Sequence, residues 1–136
     1  MCTERGFLLL RLPKMTQQTP SLPFHQWPAD FSARVRLLNA AEGGRSTPAH
    51  PGYRPQVHFE TASLQGTCTS GSWQKMEQEK LYPGETADID IVVLNKELCR
   101  QKLFPGLKIH LAEGSVVIGT GEILEVYNPD LLAENP

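Results

Sequence analysis

The chain has 136 residues, 40% of them hydrophobic, with 13 Lys and Arg against 15 Asp and Glu for a net charge of −2. That length suits one domain with a core of its own, and the charge balance supplies no global basic field, so no DNA role is expected and any RNA role must rest on local contacts. Three widely spaced cysteines, Cys2, Cys68 and Cys99, exclude a disulfide framework and a CxxC zinc or redox site, and predict reduced thiols in the cytoplasm.

Residues 1–30 carry Pro13, Pro20, Pro23 and Pro28 among Thr, Gln and Ser, without a sustained period of 2 or 3.6. Proline lacks a donor N–H and pushes its predecessor towards extended conformations, so this stretch is expected to be an extended or disordered arm. Its longest apolar run, Phe7–Leu10, is far shorter than the roughly 20 residues of a membrane span and makes a poor secretory signal. Neither membrane insertion nor export is expected. Met15 is an alternative start to Met1.

From Phe31 the pattern changes to short alternating runs divided by Gly and Pro. Residues 31–38 place Ala33, Val35 and Leu37 against Ser32, Arg34 and Arg36, the period of a half-buried strand. A long loop over 39–54 precedes a second strand at 56–61, with Val57 and Phe59 opposite Gln56, His58 and Glu60. The weakly patterned, charged stretch 73–81 predicts an exposed strand or hairpin, closed by a Tyr82-Pro83-Gly84 turn. The clearest strand is 87–94, Ile89, Ile91 and Val93 inward, Asp88 and Asp90 outward. Residues 95–106 read as a loop or one helical turn. Strands at 107–111 and 116–126 flank a turn at Glu113, Gly114 and Ser115, and Gly119 with Gly121 suggests a bulge or bend in the last of them. Six strands without a convincing helix predict an antiparallel barrel or sandwich over 31–128, with a short tail at 129–136.

No residue pattern supports catalysis. Gly43-Gly44-Arg45-Ser46-Thr47 lacks the lysine of a phosphate-binding loop and runs into Pro48 instead of a helix, and Asn95-Lys96-Glu97-Leu98 lacks the carboxylate of a guanine-reading motif. His25, His50, His58 and His110 lack metal-ligand spacing, although His58 and His110 fall on strands that can be neighbours. Asp88 and Asp90 share a solvated strand face, and Cys68 has no identifiable activating base. The expectation is a non-enzyme without metal or cofactor.

Glu42-Gly43-Gly44-Arg45-Ser46-Thr47-Pro48 followed by Gly52-Tyr53-Arg54-Pro55-Gln56-Val57-His58-Phe59-Glu60-Thr61 closely resembles the opening of the C-terminal (third) domain of elongation factor Tu, E-G-G-R-H-T-P and then G-Y-R-P-Q-F-Y-F-R-T-T. Tyr82-Pro83-Gly84-Glu85 resembles that family's M-P-G-D turn. Gly106-Leu107-Lys108-Ile109, Glu113-Gly114 and Gly119-Thr120-Gly121 resemble G-L-R-F-A-I-R-E-G-G-R-T-V-G-A-G. The ordered match spans about residues 32–127. It implies a six-stranded antiparallel β-barrel, here as a third domain standing alone, and partners drawn from aminoacyl-tRNA, whose T stem the family's domain holds by its backbone, or from translation factors.

Carried over only where residues agree, the RNA-binding candidates are Arg45, Gln56, Lys96, Glu113 and Gly114. Arg and Lys neutralise phosphates, and Gln and Glu hydrogen-bond the ribose 2′-hydroxyl that marks RNA. Departures from the pattern are Ser46 for histidine, Gln65 for threonine, and Glu60, Ala112 and Val116 for arginines, a loss of about four positive charges that should weaken RNA binding at physiological salt. A second reading stays open: the glycines and prolines preserve turn geometry, Arg45 and Arg54 pair with carboxylates such as Glu42, and the barrel is a protein-interaction decoy or regulator without an RNA role.

Overall fold

The computed structural model describes residues 22–134. Cys2, the Met1 and Met15 alternatives and the first part of the arm lie outside these residues. Six strands, β1 (Phe31–Leu37), β2 (Gln56–Phe59), β3 (Thr69–Met76), β4 (Thr86–Val93), β5 (Lys108–Glu113) and β6 (Val116–Val126), with the one-turn helix α1 (Lys96–Cys99), make up the fold. The strands close in the order β1-β4-β3-β2-β5-β6, and every strand pair is antiparallel. The expected six-stranded barrel is therefore what forms, and closure removes the open edges that a small sheet would expose. No helix among the described residues is long and apolar enough to cross a membrane.

Alternation decides what lies inside. Phe31, Ala33, Val35 and Leu37 on β1, Val57 and Phe59 on β2, Ile89, Ile91 and Val93 on β4, and Ile109 and Leu111 on β5 are all buried. Phe31 and Phe59 meet edge to face at 6.2 Å, and each fully buried side chain of this size contributes about 2 kcal/mol. Trp73 is fully buried, which overturns the expectation of an exposed strand over 73–81. The strand begins earlier, at Thr69, because Gly71 and Ser72 are small enough to pack closely: a Cβ at Gly71 would stand 2.5 Å from Val57 Cγ2. Small polar residues conceal their burial from a pattern search. Within 77–81, Leu81 is buried and bridges Ala49.

The glycines of β6 serve a different end from the expected bend alone. The register slips beside Gly119, where Leu111 faces Gly119 and Ala112 faces Val117. Gly121 stays in register opposite Val35 and Ile109. A Cβ there would lie 2.7 Å from Arg34 O, so glycine admits the β1 backbone.

The segments just before β1 and just after β6 are tied to the barrel through Asp30, which is 2% exposed. Its carboxylate accepts from Val93 N, Lys96 Nζ and Asn128 Nδ2 at 2.8 to 2.9 Å, while its carbonyl accepts from Tyr127 N and Asn128 N. The arm's described part packs here too: a 3-10 turn at Phe24–Gln26 leads to Trp27, whose carbonyl accepts from Gln74 Nε2 at 2.7 Å. The tail buries Leu131 and joins the segment after α1 through Leu103 N to Leu131 O at 2.9 Å.

Candidate nucleic-acid interface

The long loop between β1 and β2 is held by local capping before it reaches the site. Asn39 and Glu42 form a reciprocal capping box around the turn Ala40–Glu42. Glu42 also takes two hydrogen bonds from Arg36 Nη2 at 3.0 Å. Farther on, residues 52–55 run beside β3, with Gly52 N donating to Trp73 O and Trp73 N to Tyr53 O. This addition to the sheet seats the Tyr53 ring edge to face on Trp73 at 5.1 Å.

Arg45 reaches from that loop to the β5–β6 turn. Its Nη1 donates to Glu113 Oε2 at 2.6 Å, Nε to Thr47 O at 3.1 Å, and Nη2 to Thr47 Oγ1 and Pro48 O at 3.0 and 3.1 Å. The guanidinium lies over the Tyr53 ring at 4.6 Å from its centroid, and the Tyr53 hydroxyl donates to the same Glu113 oxygen. The Tyr53 hydrogen bond, joined by the hydrogen bond and charge of Arg45, holds the Glu113 carboxyl below its usual range against the opposing effect of burial. Burial and the facing carboxylate push the Tyr53 hydroxyl well above its ordinary value. A neutral phenol donor, a carboxylate and a guanidinium thus form one locked triad.

Gly114 completes the corner at the first central position of a two-residue turn between Glu113 and Val116, with φ 62°. A primed hairpin turn requires a positive φ at this position, which glycine adopts without strain. Gln56, half-buried, starts β2 and faces Ala112 on β5 and Ser70 on β3. Four of the five expected residues, Arg45, Gln56, Glu113 and Gly114, therefore gather at one corner. Lys96 does not join them. Its ammonium sits at the start of β1, on Asp30 Oδ2 and Val93 O at 2.8 and 2.7 Å and 5.3 Å from the Trp27 ring centroid. The turn at Gly114 instead meets the other end of β1, where Leu38 N donates to Ile118 O.

The departures from the family pattern also separate. Ser46, Glu60, Gln65 and Val116 are exposed, whereas Ala112 is buried between its strand neighbours. Val116 and Val117, 49% and 39% exposed, leave an apolar pair beside the corner. Arg45 pairs with Glu113 and not with Glu42, a partner 68 positions away that no local spacing announces. Tyr53 and Asp30 were not singled out in the sequence. Tyr53 was visible only as part of the Gly-Tyr-Arg-Pro string, and Asp30 had no local signal. His58 and His110 do become neighbours, directly opposed on β2 and β5. Among the described residues, no group of three or more His, Cys, Asp or Glu is placed to hold a metal ion.

A closed six-stranded antiparallel barrel, entered through a Gly-rich loop clamped onto its last hairpin, is the architecture of a translation-factor barrel domain. Residues 26–127 match the family described as the elongation factor Tu C-terminal domain, and the chain belongs to that family. It is similar to elongation factor Tu 2 of Streptomyces avermitilis, with 38% identity over 96 residues, covering 71% of this chain and 22% of that protein. The match thus takes in about a fifth of that relative's length.

Proposed function

We propose that this chain acts by binding and not by catalysis, in translation, and that its corner at Arg45, Gln56, Glu113 and Gly114 meets the sugar–phosphate backbone of an RNA, with the aminoacyl-tRNA T stem as the partner. The convergence of these four scattered positions, with Arg45 locked to Glu113 at 2.6 Å, is the observation that supports the reading. A preorganised corner costs little ordering on binding. The Arg45 guanidinium, the Gln56 amide and the exposed Glu113 carboxylate suit phosphate and 2′-hydroxyl contacts. Lys96 is left out of the contact set, because its ammonium anchors Asp30.

Titration of labelled aminoacyl-tRNA at low and moderate salt tests this. Binding that weakens steeply with salt, and weakens further in Gln56→Glu at constant salt, is expected. Absence of binding even at low salt would refute it.

The exposed Val116 and Val117 favour a second reading, a protein-contact surface on the same hairpin. Recovery of a partner from lysate that survives nuclease treatment and is lost in Val117→Asp supports it, and nuclease-sensitive recovery counts against it.

A further inference from the structure

His58 and His110 stack outside the barrel, with centroids 4.7 Å apart and planes within 6°. They face each other directly across β2 and β5, so their rings pack face to face as one block. This block forms one wall of a hollow of about 480 Å³, whose other lining includes Phe59, Leu64, Gln65 and Glu60. Phe59 and Leu64 also line it, but both belong to the barrel core and are only 3% and 2% exposed. The connection on the far side is fixed by Leu64 N to Thr61 O at 3.0 Å and Thr67 Oγ1 to Leu64 O at 2.7 Å. The hollow is therefore built by the backbone and needs no closure to exist.

An aromatic wall with hydrogen-bonding groups beside it describes a site for a planar heteroaromatic ring. The rim group with the most chemical discrimination is Glu60, 3.5 Å from His110 Nδ1 and half-exposed. An ionised carboxylate only accepts hydrogen bonds, through two oxygens side by side. Among the nucleobases, guanine presents two adjacent donors, its N1–H and N2–H₂, to such a pair. Burial, with a smaller contribution from His110, lowers the basicity of His58.

We propose that this hollow holds an unpaired guanine base of the RNA bound at the corner, stacked against the His58–His110 pair and read at its edge by Glu60. The proposal rests on the RNA reading above. Gln56, His58 and Glu60 are alternate residues on one outer face, so the hollow begins about 7 Å from Gln56 at His58 and reaches about 13 Å at Glu60, within reach of a strand leaving the corner. Glu60 stands where the resemblance has arginine. The exchange that reads in the sequence as lost phosphate affinity becomes the gain of a base-reading group.

Titrating guanosine, adenosine, cytidine and uridine monophosphates into the full chain, followed by the imidazole C–H resonances of His58 and His110, tests the site without requiring the corner. Guanosine monophosphate is expected to shift both histidines and saturate in the millimolar range, with the other three about tenfold weaker. Glu60→Gln should abolish the guanine preference, and His110→Ala should weaken all binding by about tenfold, whereas His110→Phe, which keeps a flat ring, should retain it. Unchanged shift dispersion elsewhere verifies that each variant is folded. Absence of histidine shifts with all four nucleotides, or an unchanged guanine preference in Glu60→Gln, overturns the proposal. Guanosine binding without aminoacyl-tRNA binding overturns the corner alone, and tRNA binding without nucleotide-induced shifts overturns the hollow alone.

Discussion

Arg45 and Glu113, 68 positions apart, meet at 2.6 Å with side chains 21% and 45% exposed. The contact clamps the long loop to the last hairpin. Because the carboxylate is nearly half-exposed, solvent screening reduces what the pair contributes. Glu113→Gln should cost about 1 kcal/mol, measured by urea denaturation at pH 7. The folded carboxyl titrates below its ordinary value of 4.5, so its stabilisation is present above that pH and is lost as pH falls through the lower folded value. The gap between wild type and Glu113→Gln should accordingly close below pH 4.5. A gap that persists undiminished at pH 2 would contradict the assignment.

Asp30 gathers β4, α1 and the segment after β6 around one buried carboxylate. Removing it leaves the Val93 N–H and the Asn128 side-chain amide without this acceptor and the Lys96 ammonium on Val93 O alone. Asp30→Ala should therefore destabilise the barrel by about 3 kcal/mol. Lys96→Met should cost less, since the Lys96 side chain is 39% exposed and two neutral donors still reach Asp30. Guanidinium unfolding followed by far-UV circular dichroism ranks the two, and an equal loss in both would argue against this division.

Gly121 admits the β1 backbone where a Cβ would sit 2.7 Å from Arg34 O. A backbone atom cannot swing aside as a side-chain tip can, so Gly121→Ala should force β1 and β6 apart and cost about 1–3 kcal/mol. Faster amide exchange should appear along the β1–β6 ladder. Thermal unfolding at the wild-type temperature would show that the strands yield without strain.

Val116 lies exposed beside Gly114, where the resemblance has arginine. Val116→Arg restores one of the lost charges without touching the core. On the RNA reading it should tighten aminoacyl-tRNA binding and steepen the dependence of log affinity on log salt by about one. Unchanged affinity and slope would place the RNA elsewhere on the barrel.

Strand alternation was legible wherever large apolar residues marked it, as at Ile89, Ile91 and Val93, because side-chain direction in a strand follows from local geometry. Trp73 was misplaced because its neighbours Gly71 and Ser72 are small and pack by shape, which polarity does not record. The corner was legible residue by residue through Arg45, Gln56, Glu113 and Gly114. That Arg45 binds Glu113, that Lys96 belongs instead to Asp30, and that Tyr53 joins the corner could not be read in the same way.

The sequence by itself determined the strand faces, the turns, the family resemblance and a charge balance too even for a general nucleic-acid surface, since each rests on residue type and short-range spacing. The tertiary structure alone decided which ions pair, that Ala112 is buried while Val116 is exposed, and that His58 and His110 form one wall. These outcomes depend on register and closure, which bring side chains dozens of positions apart to within a few ångströms, and no local pattern encodes that distance.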